Sequence, residues 1–92
     1  MLGCSGNFQG TYGQVAVDEG SHLDSFDRKS LNECKRLCVV TAGCRSFSFN
    51  YSPRSHRNCN LKHKSLTSSS PFAPNSYGYT TYYCVTDRKI IK

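Results

Sequence analysis

Six cysteines and three histidines are the residues of this 92-residue chain best suited to chemistry. Cys34, Cys38 and Cys44 fall within "SLNECKRLCVVTAGCRSFSFN" (30–50), Cys4, Cys59 and Cys84 lie apart from them, and His22, His56 and His63 are scattered. Such residues can ligate a metal, exchange thiols or form disulfides. Structural zinc draws on close pairs such as C-x2-C. The spacings here are C-x3-C and C-x5-C, so no metal is expected, nor any other cofactor. A redox C-x-x-C is missing, and the even count argues against a reactive thiol, which would leave a cysteine unpaired. Three disulfides are therefore expected, at a density typical of small extracellular domains in an oxidising compartment.

The other reactive side chains add no catalytic pattern. Serines are plentiful, but no G-x-S-x-G elbow is present, and disulfides would consume every thiol nucleophile. Asp18, Glu19, Asp24 and Asp27 lie in one segment and are expected to solvate a loop rather than form an acid–base pair. The chain is not expected to be an enzyme. Twelve Lys and Arg against six Asp and Glu give a net charge of +6, which favours polyanionic partners. Outside the cell these are sulfated glycans or acidic proteins, not nucleic acid.

A chain of this length buries only about 60–65% of the surface its unfolded form exposes, so its core needs covalent support. With no Trp and one Met, the five Phe and six Tyr must supply much of the buried area. The best-marked element is a helix over about 30–42. Ser30 and Glu33 have the spacing of a capping box; Leu31, Cys34, Leu37, Cys38 and Thr41 recur on one face, and Gly43 is expected to end the helix. In "CRSFSFNY" the period changes to two, with Phe47, Phe49 and Tyr51 inward and Ser46, Ser48 and Asn50 outward. "SPRSHRN" reads as a turn. "CNLKHK" returns from it, with Cys59 and Leu61 inward and Asn60, Lys62 and Lys64 outward. "YGYTTYYCVT" is the last strand, Tyr77, Tyr79, Thr81 and Tyr83 alternating with Thr80, Tyr82 and Cys84. Phe8 to Val17 holds one or two more strands with bends at Gly10 and Gly13. Residues 65–76, "SLTSSSPFAPNS", read as one long surface loop, and 85–92 as a basic linker.

No signal-peptide pattern opens the chain, and no stretch approaches the roughly 20 apolar residues of a membrane span. The expectation is one domain, 1–92 with its core at 4–84, cut from a longer secreted or membrane-anchored protein and not itself inserted in a bilayer. On the helix, Cys34 and Cys38 stand one turn apart, with Cβ atoms roughly 5–6 Å apart, whereas a disulfide needs about 3.8 Å. Each should pair elsewhere: Cys38 can meet Cys44 past the Gly43 turn, Cys34 can reach the strand of Cys59, and Cys4 and Cys84 remain.

This nested Cys4–Cys84, Cys34–Cys59, Cys38–Cys44 scheme, the C-x3-C-x5-C helix and the following "CRSFSFNY" closely resemble the PAN/apple domain family, from Cys4 to Cys84. The resemblance implies a small disulfide-rich α+β fold: a curved antiparallel sheet of about five strands cradling one helix, with a small extra hairpin. It also implies a non-catalytic extracellular module that binds proteins or carbohydrates, for interaction or adhesion within a larger protein.

Two ligand surfaces follow. Tyr77, Tyr79 and Tyr83, with the 65–76 loop, would form an aromatic face for another extracellular protein. Alternatively, Arg54, His56, Arg57, Lys62 and Lys64 would make one hairpin a site for an anionic, heparin-like glycosaminoglycan. One family member binds heparin through basic residues, a property that does not transfer position by position. Arg28, Lys29, Lys35 and Arg36 form a second basic group near the helix start. Asn50-Tyr51-Ser52 is an N-glycosylation sequon, expected on the outward side of its strand and disfavoured by Pro53.

Overall fold

The computed structural model describes residues 3–18, 20–52 and 56–85. Its one helix among these, α1 (Leu31–Val40), begins at the capping box: Glu33 N–H donates to Ser30 Oγ at 3.1 Å and Ser30 N–H to Glu33 Oε1 at 2.8 Å. These two bonds satisfy donors that a helix start otherwise leaves to water. The helix is shorter than the periodicity suggests. Thr41 already has extended backbone, and Gly43, at φ +82°, turns the chain so that Cys44 N–H reaches Thr41 O at 3.1 Å. Gly3 passes under the helix end, its N–H donating to Val39 O at 3.0 Å. A Cβ at Gly3 would overlap the Cys38 carbonyl, so only glycine fits that crossing.

The sheet has five antiparallel strands in the order β1-β7-β4-β5-β3: β1 (Phe8–Gly10), β3 (His22–Phe26), β4 (Ser46–Asn50), β5 (Cys59–Lys62) and β7 (Tyr79–Cys84). The register pairs Phe47 with Leu61 and Tyr82, and Ser48 with Asn60 and Thr81. Side chains alternate across a strand, so each pair of neighbours shares a face. The helix covers the face bearing Phe47, Phe49, Cys59 and Leu61, which form the main core with Cys34, Cys38 and Cys44; Phe8, Phe26, Leu31, Leu37 and Tyr82 pack around it. Phe8 meets Phe47 edge-on and Tyr82 stacks on Phe47, both with centroids 5.2 Å apart.

The opposite face is where the structure departs from the simple in–out pattern. Every residue of β4 and β5 is buried, including Ser46, Ser48, Asn50, Asn60 and Lys62, all expected outward. A second layer explains this: β2 (Gln14–Ala16) and β6 (Phe72–Pro74) pair antiparallel and carry a small core of Ala16, Leu66 and Tyr83, with Phe72 packed against it. Ala16 N–H donates to Thr81 Oγ1 at 3.2 Å, tying this layer to β7. The small extra unit is thus a pairing of strands far apart in sequence, not a hairpin.

Residues 65–76 are not one loop, because Phe72–Pro74 is β6. The acidic segment is not all loop either, since β3 carries Asp24; as an edge strand with three of its five residues exposed, it shows no apolar alternation to read.

The disulfides join Cys34 to Cys59, Cys38 to Cys44 and Cys4 to Cys84. No cysteine is free. Cys4–Cys84 spans a sequence separation of 80 and holds the start of the chain against the last strand. Replacing both partners by Ser is expected to lower the unfolding free energy by about 4–5 kcal/mol in the chain-entropy account, read as a shift in the urea midpoint. A change below about 1 kcal/mol would mean that β1–β7 pairing alone closes the loop.

Candidate functional site

The covered polar face holds a recess. Ser48 of β4 and Asn60 and Lys62 of β5 form its floor; Val15 of β2, His22 of β3, Tyr79 of β7 and Asn75 stand around it, and Arg57 enters from the β4–β5 turn. Its volume is about 270 Å³. The register gathers these residues: Asn60 sits between Ser48 and Ser25, and Lys62 between Ser46 and His22.

Hydrogen bonds stiffen the recess. Asn60 Oδ1 accepts from Ser25 Oγ at 2.8 Å, and Asn60 Nδ2 donates to the Arg57 carbonyl at 2.6 Å. The Tyr79 hydroxyl donates to that carbonyl at 3.3 Å. Asn75 Oδ1 accepts from Tyr77 N–H at 2.9 Å and Tyr79 N–H at 3.1 Å, which folds the β6–β7 turn over the rim. Arg57 has φ +52°, a left-handed conformation uncommon for a residue with a side chain, and its N–H donates to Asp27 Oδ1 at 2.5 Å. The recess is therefore lined by Arg57, Lys62, His22, Asn60, Asn75 and Tyr79, residue types that can meet hydroxyls and an acidic substituent, with the Asn60 amide and the Tyr79 hydroxyl already engaged within it.

Of the residues expected to bind ligand, Arg57, Lys62 and Tyr79 meet here. Lys62 is not on an open basic face: it is only 5% exposed, because β2 and β6 cover the side of β5 from which it projects. Lys64 lies past the end of β5, its Nζ 3.1 Å from Asp18 Oδ2; that hydrogen bond and the ammonium charge hold the Asp18 carboxyl below its ordinary pKa. His56 is exposed, with Nδ1 3.9 Å from Asp27 Oδ2. Arg54 lies outside the described residues, as do Pro53 and the linker residues 86–92.

The tyrosines do not form an exposed row. Tyr77 is 80% exposed but sits in the turn before β7, Tyr79 lines the recess, and Tyr83 is 7% exposed and stacked on Phe72 at 5.9 Å. Tyr83 alternates with Tyr82 as expected, but the second layer covers its face.

Asn50 is not outward either. It is 7% exposed, donates from Nδ2 to the Tyr77 carbonyl at 2.9 Å and accepts from Ser52 N–H at 2.8 Å. His22, Ser48, Asn60 and Asn75 were missed because they sit at positions read as solvent-facing or as loop. One clue was available: Ser46, Ser48, Asn50 and Asn60 are short polar residues that bond to neighbouring backbone and side chains, where a solvated face usually carries Lys and Glu.

Larger grooves lie elsewhere. One, about 610 Å³, runs past Gln9, Gln14, Leu66, Phe72 and Tyr83; another, about 680 Å³, lies between Arg28, Lys29, Glu33, Tyr51 and Asn58 at the helix start, and a third, about 360 Å³, beside Asn32 and Arg36. No group of three or more His, Cys, Asp or Glu among the described residues is placed to hold a metal ion, and no helix among them is long and apolar enough to cross a membrane.

Comparison with known families identifies residues 4–85 as a match to the PAN domain. The chain belongs to the PAN domain family. PAN domains are generally non-catalytic modules that bind proteins or carbohydrates within larger proteins, and such domains with several disulfides are typically extracellular. No curated protein and no solved structure matches this PAN domain.

On the helix side, Tyr82 shares a hydrogen bond between hydroxyls with Tyr51, and Lys35 Nζ lies 5.9 Å from the Tyr82 ring centroid. Burial, reinforced by the Tyr51 hydroxyl, pushes the Tyr82 phenol well above its ordinary pKa. The folded state keeps this proton, whereas the unfolded chain releases it near pH 10. This contribution to stability is therefore complete below about pH 10 and is lost as pH rises above it. Urea unfolding followed from pH 8 to 11.5 is expected to show a fall that Tyr82→Phe removes; identical slopes in both proteins would refute it. Asn50 yields a second expectation. Secreted from a glycosylating host, the chain should have the mass of the disulfide-bonded polypeptide with no N-glycan released by amidase; a released glycan would show that Asn50 is modified before the β6–β7 turn closes over it.

Proposed function

We propose that this PAN domain is a non-catalytic extracellular binding module that takes an anionic carbohydrate in the recess between the five-stranded sheet and the β2–β6 layer. The observation that carries this reading is the convergence of Arg57, Lys62, His22, Asn60, Asn75 and Tyr79 in one cavity of about 270 Å³. Arg57 is exposed beside the recess, and a guanidinium can hold an acidic group through two hydrogen bonds. Asn60, Asn75 and Tyr79 fix the shape of the lining through their own hydrogen bonds, and a cleft of polar groups and an aromatic ring suits a sugar.

A protein-docking role retains one supporting observation. Tyr12, 90% exposed, and Tyr77 lie on neighbouring turns, held together where Asn75 N–H donates to Gly13 O at 3.1 Å. Two adjacent exposed rings favour contact with a partner surface.

The two roles separate by mutation. Arg57→Ala and Lys62→Met should each weaken binding to an acidic-glycan array by about 10- to 100-fold, the effect of losing a hydrogen bond to a charged group, while Tyr12→Ser/Tyr77→Ser leaves it intact. Arg57 is exposed, so its variant tests the reading even if Lys62→Met disturbs packing. Unchanged glycan binding by Arg57→Ala would refute the recess as the site.

A further inference from the structure

We infer that the groove at the start of α1 docks an acidic, extended segment of another protein, which it holds by a carboxylate and one aromatic or large aliphatic side chain. The groove reaches the helix side of the sheet through Leu31 and Phe49 and shares none of the residues that line the recess, so it is independent of the carbohydrate reading. Three observations carry it: an apolar floor, cations that have no ion pair, and an arginine held in a strained conformation at the rim.

The floor is made by Leu31, Phe49 and Tyr51, with Arg28, Lys29 and Glu33 along it. Tyr51 is 59% exposed, and its ring meets Phe49 edge-on with centroids 4.9 Å apart. Its hydroxyl is engaged with that of Tyr82, which fixes the ring in place. An adjoining groove past Asn32, Arg36 and Leu37 shares Lys29 and Glu33 with the first. Both are open to solvent, so together they form a strip across the helix start that suits a chain lying along the surface. Exposed aromatic rings beside arginines are the side chains on which protein contacts most often depend.

The charge of the strip selects the partner. None of Arg28, Lys29 and Arg36 makes an ion pair among the described residues. Lys35 is turned to the Tyr82 ring, and Asp27 to the Arg57 N–H and His56. Glu33 is the one carboxylate lining the two grooves. It accepts from Ser30 N–H, and that bond, more than Lys29 or Arg36, holds its carboxyl below the ordinary pKa. Three cations therefore face one committed carboxylate, a balance complementary to acidic side chains. Glu33 opposes a continuous row of sulfates but leaves room for spaced carboxylates, and the apolar floor gives a polyanion nothing while it can take a peptide side chain. A second copy of this chain, with twelve Lys and Arg against six Asp and Glu, is a poor complement, which makes the partner a different protein.

Arg28 has φ +54°, a left-handed backbone that glycine adopts at less cost. The turn that carries it is pinned by the buried Asn58: Lys29 N–H donates to Asn58 Oδ1 at 2.9 Å, and Asn58 Nδ2 donates to the Lys29 carbonyl at 2.8 Å. Strain held by surrounding structure in this way is a mark of sites that bind, and a rim fixed in advance has less freedom to lose on binding.

The test selects peptides from a random library displayed on phage against the immobilised, disulfide-bonded full chain, after depletion on the Arg28→Glu/Arg36→Glu variant. Enriched peptides should combine Asp or Glu with Phe, Tyr, Trp or Leu, and in synthetic form should shift the backbone amides of Arg28, Leu31, Arg36 and Tyr51 of the isotope-labelled protein. Arg28→Gly should weaken such a peptide by at least about tenfold, as expected for loss of a hydrogen bond to a charged group, while its urea midpoint stays the same or rises, because glycine suits that backbone. Tyr51→Ala should weaken binding and Tyr51→Phe retain it, which separates the ring from the hydroxyl. Arg57→Ala, in the recess, should bind the peptide normally.

No enrichment beyond that on the charge-reversed variant, enriched peptides without acidic residues, or shifts confined to other surfaces would overturn the inference. Unchanged affinity in Arg28→Gly would do the same, as would a heparin oligosaccharide that displaces the peptide and binds at least about tenfold more tightly, which would make the strip a glycan track.

Discussion

The bridge between Cys34 and Cys59 fixes more than the helix. Cys59 is the first residue of β5, so the bond that holds α1 against the sheet also fixes which side of that strand faces the core. Side chains alternate along a strand, and a slip of one residue would exchange its faces. With Cys59 tied to the helix, Leu61 must follow it into the core and Asn60 and Lys62 must face away. The floor of the recess is thus set by a covalent bond on the opposite side of the sheet. The pairings of β5 with β4 and β3 carry that choice sideways, to Ser48 on one side and to Ser25 and His22 on the other.

The second constraint is that the sheet is covered on both faces in a chain too short to build two apolar cores. The helix side is filled with Phe, Leu and half-cystines, whereas the far side is mostly polar and held by hydrogen bonds. Burying Ser, Thr and Asn is tolerable only if their polar atoms find partners. Among the described residues, no buried side-chain nitrogen or oxygen lacks one. Asn58 shows how this is done: its side chain donates to the Lys29 and Asn50 carbonyls and accepts from Lys29 N–H, so one amide ties the approach to the helix to the end of β4. The same polar interior supplies the groups that line the recess, so the requirement for satisfied burial and the capacity to bind arise from the same residues.

What was legible in the sequence follows from where the signals are strong. The capping box, the cysteine spacing and the Phe47–Phe49 alternation are local patterns with one physical meaning each, and they delivered the helix, the central strands and the family. The β2–β6 layer had no such signal. Its strands have three residues each and lie about sixty residues apart, too short for periodicity and too distant for a turn motif to announce their pairing. The misassigned faces of β5 and β7 follow from that missing layer: Lys62 was read as outward and Tyr83 as one of an exposed row. β3 escaped for a different reason, since an edge strand that leaves one side in water has little need of apolar alternation.

A net charge of +6 suggests a broadly cationic surface, but its distribution is less uniform. Asp18 and Asp27 sit beside Lys64 and His56 around β3, while Lys35 lies near an aromatic ring on the helix side. Exposed charges separated by more than about 8–10 Å are largely screened at physiological ionic strength, so a partner responds to each local arrangement and not to the sum. At the recess that arrangement is Arg57 and Lys62 lining a polar cavity, with Asp18 and Asp27 beyond the two ends of the adjoining strand. Net charge therefore says little about any one surface, and the layering of the fold decides which charges stand together.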